Sequence, residues 1–120
     1  MSTSKRFNVF GKPMKTCNTT KITGYERTGY CYNYENDPGT HIVCAIVTDY
    51  FLEFTKSKGN DLITPRGSFP GLKHGDRWCL CVKRWLEAYK AGKAPPIIGD
   101  ATDISVLEYV PAIVLQNYIK

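Results

Sequence analysis

The chain has 120 residues and a mass of 13.6 kDa, room for one domain with its own core and not for two. Size scaling removes about two-thirds of the unfolded surface from water on folding, so no staple is needed to make that core. A hydrophobic share of 42%, an aromatic share of 12% and a charged share of 22% exclude disordered, collagen-like and low-complexity classes. The longest apolar run, Ile42 to Val47, is far too short to span a membrane.

The net charge of +5 is unevenly spread. Residues 1–30 carry six Lys or Arg against one acid, residues 31–60 sum to −2, residues 61–90 to +3 and the last thirty to −1. No block of five or six like charges occurs, so a dedicated nucleic-acid arm is not expected. The segment from Met1 to Lys15 has no apolar stretch suited to a secretory signal, which makes the cytoplasm the expected location. Five cysteines, Cys17, Cys31, Cys44, Cys79 and Cys81, form an odd set, which in such a compartment favours thiols over a disulfide framework.

Taken along the chain, residues 1–6 are expected to be a flexible tail of a single domain. The first forty residues are punctuated by Gly11, Pro13, Gly24, Gly29 and Asp37-Pro38-Gly39 and suit short strands and turns. Tyr30, Tyr32 and Tyr34 alternate with Cys31 and Asn33, as on a strand with one aromatic face. Ile42 to Val47 is rich in β-branched residues and reads as a buried strand. Thr48 then suits the N-cap of a helix over Asp49 to Lys58, with Gly59 as its left-handed stop; a single helix from Thr40 fits the same apolar spacing, but the β-branched density lies before Thr48. From Gly59 to Gly75 turn signals follow one another, too many for a regular element, so a long structured loop is expected there, with Phe69 and Leu72 pinning it. Trp78, Cys81, Val82, Trp85, Leu86 and Tyr89 fall at helical spacing, and a helix from about Arg77 to Ala91 is favoured. A strand over Arg77 to Val82 before a shorter helix fits the alternation there. Pro96 to Ala101 and Val106 to Val110 read as strands, and Pro111 as the start of a last short helix through Tyr118. The fold class is α+β, a single compact domain with a small mixed or antiparallel sheet packed by two main helices.

The candidate chemistry is that of cysteine. In a strand, Cys79 and Cys81 share a face; in the favoured helix they lie about 200° apart, with Cys79 in the first turn, where backbone donors favour thiolate, and Cys81 toward the core. A buried, purely packing role fits both thiols as well. A metal site drawn from His41, Cys44, Cys31 and Cys17 with the later pair would select zinc or an iron–sulfur cluster, although no Cys-x-x-Cys half-site is present. A Cys–His hydrolase would take Cys79 or Cys44 as nucleophile, His74 or His41 as base and Asp61 or Asp76 as orienter, without a local signature to fix the set. The stretch Tyr25 to Tyr34 beside Lys21 and Arg27 has the makings of a stacking strand for single-stranded nucleic acid, or of an aromatic face on the core.

Several runs form a recognisable pattern: Asn8-Val9-Phe10-Gly11, Gly29-Tyr30-Cys31, His41-Ile42-Val43-Cys44-Ala45, Gly59-Asn60-Asp61-Leu62, Phe69-Pro70-Gly71-Leu72, Gly75-Asp76-Arg77-Trp78-Cys79-Leu80-Cys81 and Ala94-Pro95-Pro96. With these, the chain resembles the uncharacterised family catalogued as domain of unknown function twenty-two thirty-seven, over about Asn8 to Val110. The resemblance implies no activity. It implies that Cys17, Cys31, Cys44, Cys79, Cys81, His41, Asn60, Asp61, Asp76 and Arg77 belong to a common pattern, and hence a shared pocket formed by the middle loop and the cysteine-bearing elements. Asp103 stands where the family pattern has a histidine, and the stretch between Pro65 and Phe69 is short. The expected function is therefore an intracellular domain whose cysteine-containing pocket, with His74 in its loop, binds a small molecule or anion; the alternatives are a thiol- or metal-dependent enzyme and a nucleic-acid or protein interaction module.

Overall fold

The computed structural model describes residues 6–21 and 23–120. Residues 1–5 of the expected tail lie outside the described residues, whereas Arg6 stacks its guanidinium 4.2 Å over the Tyr32 ring. Two strands, β1 (Val43–Ile46) and β2 (Arg77–Leu80), pair antiparallel with Cys44 opposite Cys79 and Ala45 opposite Trp78. Two nine-residue helices, α1 (Asp49–Ser57) and α2 (Val82–Lys90), follow the strands directly, and a short α3 (Ala112–Leu115) lies near the C-terminus. This is the expected α+β domain with a small antiparallel sheet and two main helices.

The free edge of β1 is covered by the segment around Ile97. Ile46 donates its amide to the Pro96 carbonyl, and Ile98 donates to that of Cys44, so both edges of β1 are hydrogen-bonded. One group of buried side chains joins Val43, Ala45 and Val47 to Phe51 and Leu52 of α1 and to Val82, Trp85 and Ala88 of α2. A second, smaller group holds Cys17, Cys31, Cys44, Cys79 and Ala101. Alternation along β1 explains the division, because Cys44 points away from the face on which Val43 and Ala45 meet the main core.

Helix α1 starts as its sequence predicts: the Thr48 hydroxyl accepts a hydrogen bond from the Phe51 amide, and Asp49 occupies the first turn. Gly59 follows the helix at φ +92°, a conformation in which a Cβ is strained. The loop from Gly59 to Gly75 is tied in by Leu72 donating to Leu62, by Gly75 donating to Val47 and by burial of Leu72. Phe69 meets Trp78 edge-on, with ring centroids 5.4 Å apart.

Four expected elements differ. The favoured helix from Arg77 is instead β2 followed by α2, with Cys81 extended between them at φ −58° and ψ 127°. Pairing with β1 supplies the backbone partners of residues 77–80, and that tertiary gain outweighs a helical spacing to which Trp78 and Cys81 belonged by coincidence. The tyrosine stretch forms no strand; Cys31 alone makes a bridge there, to Thr102, while Tyr30 and Tyr32 stack on each other 4.8 Å apart. Pro96 to Ala101 gives one bridge at Ile97 and a 3-10 turn over Gly99–Ala101. Val106 to Val110 lies mostly in a second 3-10 turn, Ile104–Glu108, capped by the Asp103 carboxylate on the Ser105 amide. Among the described residues no helix is long and apolar enough to cross a membrane.

Candidate functional site

The strongest concentration of chemistry is sulfur. Cys44 and Cys79 face the same side of the sheet as directly opposed residues, and loop residues Cys17 and Cys31 come down onto them. Disulfides join Cys17 to Cys44, with Cα atoms 5.7 Å apart, and Cys31 to Cys79, with Cα atoms 5.3 Å apart. All four cysteines are buried. The two bridges lie side by side, since the sulfurs of Cys17, Cys31 and Cys44 are all within 4.8 Å of one another. The expectation of free thiols therefore fails for four of the five cysteines. Their sequence spacing gave no sign of pairing because the sheet register, not local sequence, puts Cys44 beside Cys79.

Hydroxyl groups fix the two strand cysteines from behind. Thr102 Oγ1 accepts from the Cys44 amide at 3.0 Å and donates to the Ile98 carbonyl at 2.9 Å, and Thr23 Oγ1 accepts from the Cys79 amide at 2.9 Å. Both threonines are fully buried. Cys17 borders a surface depression of about 320 Å³ that it shares with Thr16, Asn18, Thr19 and Arg77. Cys81, expected to face the core, is the free cysteine and is half-buried at the start of α2. The roles of Cys79 and Cys81 are thus the reverse of those a helix would give them.

The middle loop closes a second cavity of about 360 Å³, lined by Thr20, Lys21, Arg27, Ser68, Phe69, Pro70 and Trp78. No cysteine lines it; the Cys31–Cys79 bridge lies one residue beyond Trp78 in the chain. Arg27 holds its guanidinium 5.5 Å from the Trp78 ring centroid and donates to the Gly24 carbonyl, from a left-handed backbone at φ 57°. Lys21 donates to the Gly71 carbonyl and to the Asp76 carboxylate. Burial works against ionisation of Asp76, but the Lys21 ammonium and the Lys73 amide outweigh it and hold the carboxyl below its ordinary range.

The remaining candidates are dispersed. Asn60 donates to Thr55 Oγ1, and Asp61 accepts from the amides of Ile63 and Thr64, which shapes the loop; Thr64 first and Ile63 with it draw the Asp61 pKa down to about 2. His74 Nδ1 accepts from the Asp49 amide at 3.1 Å and so supports the first turn of α1. Arg77 is exposed at the start of β2 and borders the depression at Cys17. His41 pairs with Asp37, a residue the sequence reading noted only for its turn: the ring Nδ1 lies 2.9 Å and 3.0 Å from the two carboxylate oxygens. The Asp-Pro-Gly turn four residues ahead of a histidine is the signal that could have shown it. Asp103 caps a 3-10 turn by accepting from the Ser105 amide.

No curated protein matches the chain. A family model matches residues 7–119, nearly its whole length, and the chain belongs to the bacterial family described as uncharacterized protein conserved in bacteria, DUF2237.

Proposed function

We propose that this is a cytoplasmic binding protein whose middle-loop cavity takes a small organic anion. The observation that carries the reading is the cavity wall itself: the cations Lys21 and Arg27, Ser68 and the aromatic residues Trp78 and Phe69 meet there, with no acid among the lining residues. Such a wall suits a carboxylate or phosphate attached to a flat apolar body, with the charge toward Lys21 and Arg27 and the body against Trp78. Lys21 spends two donors on Gly71 and Asp76 and keeps a third. No catalytic step is assigned to the sulfur centre, none of whose cysteines lines this cavity.

Phenyl phosphate and benzoate are suitable probes. Trp78 borders the cavity, whereas Trp85 is fully buried with its Nε1 donating to Pro95, so ligand entry should change the emission of Trp78 alone. Binding at about millimolar strength is expected, with loss of most of the signal in Arg27→Ala and all of it in Trp78→Phe. Unchanged emission with both probes at about 10 mM, a concentration ten times that strength, would remove the proposal.

A further inference from the structure

We infer that Cys17, Cys31, Cys44 and Cys79 constitute one metal site, which in the reduced protein binds a single zinc-class ion through four thiolates.

Two disulfides that serve only as staples need no proximity to each other. Here three sulfurs from two bridges lie within 4.8 Å of one another, and the fourth, on Cys79, is bonded to one of them. A tetrahedral zinc–thiolate site has Zn–S bonds of about 2.3 Å and hence sulfur–sulfur separations of about 3.8 Å. Cleaving each bridge lets its sulfurs part to that spacing; the sulfurs of Cys17 and Cys44 are already within 4.8 Å of Cys31, and Cys79, outside that group, swings toward them once its bond to Cys31 opens. The scaffold is suited to such a site: Cys44 and Cys79 are opposed on a two-stranded ladder, and their amides are satisfied by Thr102 and Thr23. Four protein sulfurs fill all coordination positions, so the site is closed and structural in kind. His41 and Cys81 are outside it, the first held by Asp37 and the second at the start of α2.

The chemistry balances with a dithiol as reductant. Each bridge takes two electrons and two protons to become two thiols, and each dithiol molecule supplies them by closing to its own cyclic disulfide. Four thiols then bind one divalent ion and release four protons, leaving a centre of charge −2. Arg77, at the depression that Cys17 borders, supplies a nearby positive charge, and that depression gives a reductant or ion its approach. A reducing compartment favours this form over the disulfides.

The test uses the full chain, reduced anaerobically with excess dithiothreitol, freed of it and titrated with cobalt(II) as a zinc surrogate. Thiolate-to-cobalt charge transfer and tetrahedral d–d absorption should saturate at one ion per chain, and zinc should abolish both. In the zinc form Ellman's reagent should find Cys81 alone. Cys17→Ser should weaken cobalt binding at least about tenfold, because it removes a ligand, and Cys81→Ser should leave it unchanged. If the reduced chain has lost its fold, zinc must restore the native far-UV spectrum and backbone NMR pattern. The inference is overturned if folded reduced protein gives no thiolate–cobalt bands, if zinc fails to refold an unfolded reduced chain, or if Cys81→Ser impairs binding as much as Cys17→Ser.

Discussion

The buried carboxylate of Asp37 holds His41 twice, accepting from its backbone amide at 2.8 Å and facing its ring Nδ1 with both oxygens. An ionised carboxylate can only accept, so Nδ1 is the ring nitrogen that donates to it. Gly39 lies beneath the ring so closely that a Cβ there would collide with it, and Thr40 sits at φ 49°, strained for a β-branched residue. The tight turn therefore fixes an oriented, half-exposed imidazole. Asp37→Asn keeps one acceptor but turns an amide N–H₂ toward the ring or the backbone donors, and should cost about 1–3 kcal/mol. Urea denaturation checks the loss, and a change in the His41 ring tautomer, read from nitrogen chemical shifts, ties it to this contact.

Acid should destabilise the protein through its tethered carboxylates. Burial disfavours the Asp37 anion, but the His41 amide and ring with the Gly39 amide outweigh it, so its folded pKa lies below the ordinary value, as do those of Asp76 and Asp61. The unfolded chain then binds protons more readily, which makes this contribution complete above about pH 4 and progressively lost as pH falls through the folded values. For Asp61 that value is about 2. The urea midpoint should fall between about pH 4 and pH 2, and Asp76→Asn should flatten the fall. An unchanged slope in that variant contradicts the part assigned to Lys21 and Asp76.

The oxidised protein should present a single titratable thiol. Cys81 is free and half-buried, while the other four sulfurs are bonded. Ellman's reagent should count one thiol per chain natively and none in Cys81→Ser. Reduction without added metal should lower stability, by about 4 kcal/mol for a bridge closing a loop of this length taken alone. The bridges span 27 and 48 residues of sequence, and their loops overlap, so the two losses should not add in full.

Thr102 links the sulfur centre to the segment covering β1. Thr102→Val keeps the side-chain shape while leaving the buried Cys44 amide without an acceptor and the Ile98 carbonyl without the hydroxyl donor. A loss of about 2–4 kcal/mol is expected, with Thr102→Ser recovering most of it. Equal stability of the valine and serine variants would show that the hydroxyl is immaterial.

What could be read from sequence was what local chemistry decides. The cap at Thr48, the stop at Gly59, the buried run around Val43–Ile46 and the turn-rich middle segment each depend on residues within a few positions of one another. The boundary at Cys81 depended on β1, because only pairing makes residues 77–80 extended. The sulfur centre depended on the same register. Its members are separated by long intervals, and the adjacent pair Cys79 and Cys81, the most conspicuous in sequence, is split between strand and helix start. The Asp37–His41 contact was legible in principle, since the Asp-Pro-Gly turn brings residues four apart together.

The order of the bridged cysteines, 17 with 44 and 31 with 79, interleaves the two covalent loops. Cleavage of any one peptide bond between Cys17 and Cys79 therefore leaves both pieces joined by at least one bridge. A protease cutting the exposed stretch from Thr64 to Ser68 should yield a band of full mass on a non-reducing gel and two fragments on a reducing one. A cut beyond Cys79 has no such protection and releases the C-terminal piece with α2 or α3. In the oxidised form the chain thus tolerates nicking from Cys17 to Cys79 and depends on an unbroken backbone on either side of that stretch.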